Sequence, residues 1–318
     1  ADLGAAVFAV QHLAPSSPAL LPRILQDVGP LPAVHPQDGA EFRNGNIYIA
    51  PPDHHLLVER GRVRVVRGPE ENRFRPAIDP LFRSAARAYG PRVLGVLLTG
   101  NLDDGTVGLQ AIKRRGGTAI VQDPNEAEYP SMPKSALKHV KIDHCLPVRE
   151  IGPLLTRLTR EPAAEEEAYD VPKEMEFESQ IAGQRLNTQE FLDSVEKIGA
   201  RTTYTCPVCS GSIWRIGAEE PMRFRCHTGH SFTAGPFFAE QTAYLEQTLW
   251  SAVKTLEEKV TFARQLAARM RERGENDAAK KYDAYAAQVD REVGQVRDLI
   301  LNGFATRRNI SDDDPQAI

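Results

Sequence analysis

Residues 93–98 form an almost unbroken apolar run, VLGVLL, and residues 106–115 carry apolar side chains at helical spacing before Gly116 and Gly117. Such a run suits a strand buried on both faces of a parallel sheet, and paired glycines suit a helix end. Between them lies a short acidic turn with Asn101, Asp103 and Asp104. Similar alternation fills the first half of the chain. A strand is predicted at 5–10, a helix at 18–27 capped by Ser16 or Ser17 and stopped by Gly29-Pro30, and short strands at 46–50, 55–59 and 62–66. With Arg60-Gly61 as a hairpin turn, the short strands are expected to form an antiparallel insertion. The segment NRFRPAIDPLFRSAARAYG, 72–90, is a basic loop leading into an amphipathic helix. A strand at 118–122, a short helix after YPSMP, a strand at 142–146 and a helix at 151–158 complete the series. This order predicts an α/β domain over 1–160 with a doubly wound, mostly parallel sheet.

Beyond it the pattern changes three times. Residues 161–203 are acidic and weakly periodic, which reads as a linker. Residues 204–235 hold a small cysteine-rich ribbon, and 236–306 regain strong helical spacing. There Leu245, Leu249, Ala252, Leu256, Val260, Ala263, Ala267 and Met270 share one face. Gly274 ends that helix, and Asp277 can cap a second one carrying Ala278, Tyr282, Tyr285, Val289, Val293 and Val296. An antiparallel helical hairpin or a coiled-coil segment follows. Packing within the hairpin explains the pattern, and self-association through it is the alternative. The tail at 307–318 is expected to be disordered.

Composition narrows the class. With 318 residues and 41% hydrophobic content, the chain can bury a real core in one large domain or two. A net charge of -4 argues against nucleic-acid binding through bulk charge. No apolar stretch is long enough for membrane insertion and no secretory signal is visible, so a soluble cytoplasmic protein is expected. Three of the four cysteines fall between 206 and 226, a spacing for metal rather than disulfides. Cys145 is expected to be core packing.

Cys206 and Cys209 form a C-x2-C knuckle, and Cys226 with His230 a C-x3-H knuckle beyond a predicted hairpin. Three thiolates and an imidazole satisfy structural Zn2+ with no open position. His227 is the alternative fourth ligand, with His230 better placed after Gly229. A closed site of this kind does not point to zinc catalysis.

The other candidate site lies at the strand ends. Ligands in open α/β sheets bind at the carboxyl edge, where His12 closes the first strand and Asp104 follows the strand at 93–98. The alternative for Asp103 is a plain helix cap. Arg73 and Arg75 are either solvated or line the mouth of the crevice and hold a carboxylate-rich partner.

Five segments in order resemble the catalytic domain of the chemotaxis protein-glutamate methylesterases (CheB type): VQH at 10–12, NRFRPAIDPLFRSAA, LLTGNLDDGTVGL, GGTAIVQD and MPKSAL. The resemblance implies a Ser-His-Asp triad that hydrolyses methyl esters of receptor glutamates, releasing methanol, with glutamine deamidation in some members. It assigns His12 and Asp104 to the triad and methylated chemoreceptor cytoplasmic domains as partners. Asn101 is a candidate contributor to the oxyanion site, although Asn101-Leu102 replaces the Met-Gly of the more familiar T-G-M-G-x-D-G form. The family's nucleophile sits in a Gly-x-Ser-x-Gly-Gly turn, and no such turn occurs in this sequence. Ser16, Ser17, Ser131 and Ser135 lack the flanking glycines. The expectation is therefore a member without its first strand and nucleophile turn, by a start inside a longer protein or by natural loss, and inactive or nearly so as it stands. Its rival is a non-catalytic esterase-like scaffold or binding module in a signalling complex. No receiver domain is visible, and the ribbon and hairpin resemble an extension found on some stand-alone relatives.

Overall fold

Short apolar runs pair as parallel ladders wherever helices can cover them, and here they do so twice. The computed structural model describes residues 3–164, 169–184 and 186–303, so the predicted tail at 307–318 lies outside the described residues. In chain order come β1 (Val7–Ala9), α1 (Leu21–Val28), β2 (Ala33–Val34), β3 (Ile47–Ile49), β4 (His55–Glu59), β5 (Arg62–Val66) and α2 (Ile78–Tyr89). They are followed by β6 (Leu94–Leu97), α3 (Thr106–Arg114), β7 (Thr118–Gln122), α4 (Ser131–His139), β8 (His144–Leu146) and α5 (Val148–Leu158). Among the described residues these strands make two three-stranded parallel sheets, β1-β3-β2 and β6-β7-β8, rather than the single sheet expected. The strand predicted at 46–50 belongs to a parallel ladder, and the antiparallel insertion reduces to β4 and β5 around Gly61. The strand buried along almost its whole length is β7, whereas β6 alternates buried with half-buried residues. Ser16 and Ser17 do not cap α1, which begins after Leu20 without a side-chain cap.

One core joins the hairpin to the helices: Leu56, Val58 and Val63 meet Leu81, Phe82, Leu97, Leu109 and Ile112. Helices α2 and α3 cross closely because Gly108 leaves room, since a Cβ there would lie 2.5 Å from that of Phe82. Cys145 is exposed on the short edge strand β8 and takes no part in the core.

The described residues of the expected linker include two helices. These are α6 (Lys173–Ala182) and α7 (Thr188–Ile198), the latter opened by a capping box in which Asn187 and Glu190 satisfy each other's backbone N–H. Phe177, Ile181, Phe191 and Val195 pack against Trp214 and Ile216. The acidic surface hides a sparse apolar stripe, and four such residues suffice when a sheet covers them. That sheet is antiparallel, in the order β12-β11-β10-β9, with β9 (Gly199–Thr205), β10 (Ser212–Ile216), β11 (Arg223–Cys226) and β12 (Ser231–Thr233). The ribbon thus begins before residue 204, and its own core holds Cys206, Ile213, Phe224, Cys226, Phe232 and Phe237.

Two compact units result, Ala1–Phe237 and Phe238–Ile318. The second consists of most of α8 (Ala234–Glu272) and of α9 (Asn276–Gly303). Val253, Val293 and Ile300 form one of its buried clusters, and Val260, Ala263, Ala286 and Val289 another. The buried face of α9 carries Ala279 and Ala286 where the spacing predicted Tyr282 and Tyr285, both of which are exposed. Likewise Val253, not Ala252, is the buried neighbour on α8. No described helix is long and apolar enough to cross a membrane.

Candidate active site and metal centre

Two aspartates at two helix starts make the frame of the site. Asp104 lies in the turn ahead of α3, where Leu102 (φ 64°) and Gly105 (φ 92°) adopt left-handed backbone. A Cβ on Gly105 would come within 2.6 Å of Leu97 Cδ1, so this turn requires glycine. The buried Asp104 carboxylate accepts the backbone N–H groups of Ile78 (2.7 Å) and Asp79 (3.2 Å) in the first turn of α2. Asp79 in turn accepts the N–H groups of Gly105 (3.0 Å) and Gly108 (2.6 Å) at the start of α3. Each carboxylate therefore serves the other's helix, whose unpaired amides and dipole favour negative charge. Burial and the charge of Asp104 push Asp79 well above the usual carboxylate range.

His12 completes the arrangement. Its Nε2 lies 2.7 Å from Asp104 Oδ2 and its ring stacks on Phe74, with centroids 3.6 Å apart and planes 1° apart. A carboxylate only accepts, so Nε2 carries the proton and Nδ1 keeps the lone pair that can take a proton from an alcohol. The imidazole is 19% exposed while Asp104 is fully covered, leaving a base that opens outward from a shielded carboxylate. The two residues predicted from the strand ends are thus brought together, although their strands lie in different sheets.

The remaining predicted residues fare differently. Asn101 is exposed on the turn. Arg75 does not face a partner: its guanidinium holds Asp53 (2.7 Å) and the Gly68 carbonyl (2.9 Å), with Glu70 3.7 Å away. Arg73 is exposed in the left-handed turn between Asn72 and Phe74. Asp103 does not cap α3 with its side chain; its carboxylate accepts the Thr233 hydroxyl at 2.6 Å, and burial pushes it up to about 6.

Sequence reasoning missed Asn72 and Thr233. Asn72 is buried, and its Nδ2 donates to Asp79 Oδ2 (2.9 Å) and Asp104 Oδ1 (3.2 Å). Its Oδ1 accepts the backbone N–H of Thr233 at 3.0 Å. Asn72 and Phe74 fall in the segment NRFRP that the motif comparison marks, whereas no local signal points to Thr233 on a distant ribbon.

In the ribbon, one ligand atom from each of Cys206, Cys209, Cys226 and His230 lies within 4.8 Å of every other. Cys209 Sγ and Cys226 Sγ are 3.7 Å apart, and His230 Nδ1 is 3.8 Å from Cys206 Sγ and 3.4 Å from Cys226 Sγ. Zinc–sulfur bonds of about 2.3 Å imply tetrahedral edges of about 3.8 Å, so the cage has the size zinc needs. Turns on both sides build it, with Ser210 N–H on the Cys206 carbonyl (2.7 Å) and Gly229 N–H on that of Cys226 (2.9 Å). Thr228 Oγ1, 3.0 Å from Cys226 Sγ and 3.3 Å from Cys209 Sγ, can donate to a thiolate. His227, the alternative ligand, is not in the cluster.

A carboxylate-anchored imidazole at strand ends has the geometry to take a proton from a hydroxyl. Residues 1–155 match the CheB methylesterase family model. The chain is 37% identical over 158 residues to a protein of Leptospira interrogans provisionally named protein-glutamate methylesterase/protein-glutamine glutaminase, covering 49% of this chain and 82% of that one. It is 38% identical to protein-glutamate methylesterase/protein-glutamine glutaminase 1 of Rhodospirillum rubrum, over 48% of this chain and 40% of that longer relative. The crystal structure of the Thermotoga maritima CheB methylesterase catalytic domain is 34% identical, with a TM-score of 0.46 over 48% of this chain and 82% of that one. The chain belongs to the CheB methylesterase family.

Proposed function

We infer that this protein is a carboxylic ester hydrolase that removes methyl groups from glutamate γ-methyl esters on the cytoplasmic domains of methylated chemoreceptors. The observation that carries this reading is the 2.7 Å contact between His12 Nε2 and the buried Asp104. In the proposed reaction a serine hydroxyl adds to the ester carbonyl while His12 Nδ1 takes its proton. Asp104 stabilises the imidazolium, and the same proton then leaves with methanol. Water cleaves the acyl-enzyme with His12 again as base, yielding the glutamate carboxylate. Arg75, engaged with Asp53, is left out of this scheme. The site works in the cytoplasm, in keeping with the four free cysteines.

The test is methanol release from methylated receptor by a polypeptide that carries a Gly-x-Ser-x-Gly-Gly turn ahead of this sequence. Release should fall about 10⁴-fold in Asp104→Asn, whose amide cannot fix the same tautomer. A folded polypeptide of this kind that releases no methanol would overturn the reading and favour an esterase-like scaffold.

Two further assignments belong to the proposal. Cys206, Cys209, Cys226 and His230 hold one structural Zn2+, supported by the edge lengths of their cage. The helical hairpin mediates self-association, supported by exposed Trp250, Phe262 and Leu299 on its two helices.

A further inference from the structure

The metal cage and the catalytic pair are connected by very little chain. His230, the last ligand, is followed at once by Ser231, whose N–H donates to the Glu70 carbonyl (3.2 Å) and whose carbonyl accepts the Asn72 N–H (2.8 Å). The two segments thereby run side by side as a parallel bridge between Glu71 and Ser231. Two residues further on, the N–H of Thr233 holds Asn72 Oδ1, and the Thr233 hydroxyl holds Asp103 beside Asp104. A second arm leaves the other ligand of the same knuckle, Cys226. Arg225, next to Cys226 and only 1% exposed, reaches back to the Gly229 carbonyl (2.9 Å) and across to Glu71 (3.3 Å). The left-handed Gly229 (φ 100°) packs against Pro69 so tightly that a Cβ would come within 2.7 Å of it.

Orientation is the physical point. An asparagine amide can sit either way round, and only one way presents Nδ2 donors to Asp79 and Asp104. The Thr233 N–H, a donor, meets Oδ1 and so selects that way. Reversed, Asn72 would turn an oxygen toward the Asp104 carboxylate, at the cost of a buried acceptor facing an acceptor.

We propose that the metal-loaded ribbon is part of the catalytic frame: Zn2+ in the Cys206, Cys209, Cys226 and His230 cage fixes Ser231–Thr233, which orients Asn72 and through it the Asp104–His12 pair. Asn72 and Thr233 are positioning residues. The proposal rests on the methylesterase assignment only for its activity readout.

The experiment uses the full chain and the His12 Nε2–H proton resonance, identified by its loss in His12→Gln. Metal analysis should find about one zinc per chain. Stripping zinc with a chelator should shift or broaden the His12 resonance, and adding zinc back should restore it. In Asn72→Ala, with zinc still bound, the resonance should already be moved and should no longer respond to chelation. Should chelation unfold the unit by circular dichroism, the zinc-loaded Thr233→Val variant decides. It should move the His12 resonance, with Thr233→Ser returning it. In the serine-bearing polypeptide, Thr233→Val should lower kcat about ten-fold with KM unchanged. A chain that binds no zinc overturns the proposal. So does a His12 resonance that ignores complete metal removal, an Asn72→Ala variant that responds as fully as the parent, or a Thr233→Val variant that leaves it in place. If no form releases methanol while the resonance still follows the metal, the methylesterase reading fails and the coupling stands.

Discussion

The two aspartates of the central turn show how far neighbouring residues with the same chemistry can diverge. Asp104 is surrounded by donors from Ile78, Asp79, Asn72 and His12, so its negative charge is fully engaged. Asp103, one residue away, has the Thr233 hydroxyl and the adverse charge of Asp104, and burial lifts it to about 6. A carboxyl whose folded pKa lies above its unfolded value binds protons more readily when folded, so its contribution is largest below about pH 4 and is lost as the pH rises to about 6. Asp103→Asn should therefore gain stability relative to the parent across that window, read from urea midpoints measured between pH 4 and pH 7. Equal pH dependence in parent and variant would show that folding does not raise the pKa of Asp103. The pairing of His12 with Asp104 was legible in the sequence because each follows an apolar strand and the two residue types complement each other chemically, although the strands lie in different sheets. The reciprocal bonding of Asp79 and Asp104 was not, because it depends on α2 and α3 crossing where Gly108 lets them, a tertiary fact with no periodic trace.

At the level of elements, the notable correction is the stretch read as an acidic linker. Its glutamates are not all solvated: Glu178 on α6 is buried against Arg223 (3.0 Å) and Arg225 (3.0 Å) of β11. Glu174 also meets Arg223. On the other side Glu71 takes Arg83 at 2.7 Å and Arg225 at 3.3 Å. This chain of charges joins α2, α6 and β11, and a charge run in sequence gives no hint whether its partners are water or arginine. Apart from β2, which no prediction covered, the strands and helices of the first half were legible to within a few residues, since their apolar runs are dense. In α6 and α7 the apolar residues are too sparse to outweigh the acidic ones. Burial alone would raise Glu71, but the guanidiniums of Arg83 and Arg225 bring it down to about 2. A depressed folded pKa means that the unfolded chain binds the proton more readily. The stabilisation is complete above about pH 4.5 and is lost as the pH falls toward 2. Replacing Arg225 by Met leaves Glu71 and Glu178 short of a buried partner and should cost about 3–5 kcal/mol in urea unfolding at pH 7. The variant should also lose part of the parent's steep decline between pH 4.5 and 2. A cost near zero would mean that the cluster is open to water.

Each of the two units has its own buried clusters, and the second is the thinner. A hairpin of two helices can bury only one stripe of each, here Val253, Val260 and Ala263 against Ala286, Val289 and Val293. Ion pairs at its rim, such as Arg264 with Asp290 at 3.1 Å, are exposed and contribute little. Large apolar side chains remain outside that stripe, with Phe262 61%, Leu299 51% and Leu301 64% exposed. The helical period was legible from the sequence, but the buried face was not: tyrosines at 282 and 285 score as apolar, yet small Ala279 and Ala286 let the helices approach. Two-helix hairpins commonly gain the missing burial by pairing into four-helix bundles, whose cores hold apolar positions from every helix. Light scattering on the full chain should accordingly give a dimer mass at micromolar concentration. Phe262→Ser should shift it toward the monomer, while zinc content and the His12 resonance stay as in the parent, because neither depends on the hairpin's outer face. A monomer throughout that range would remove self-association from the proposal and leave those exposed side chains for a different protein to cover.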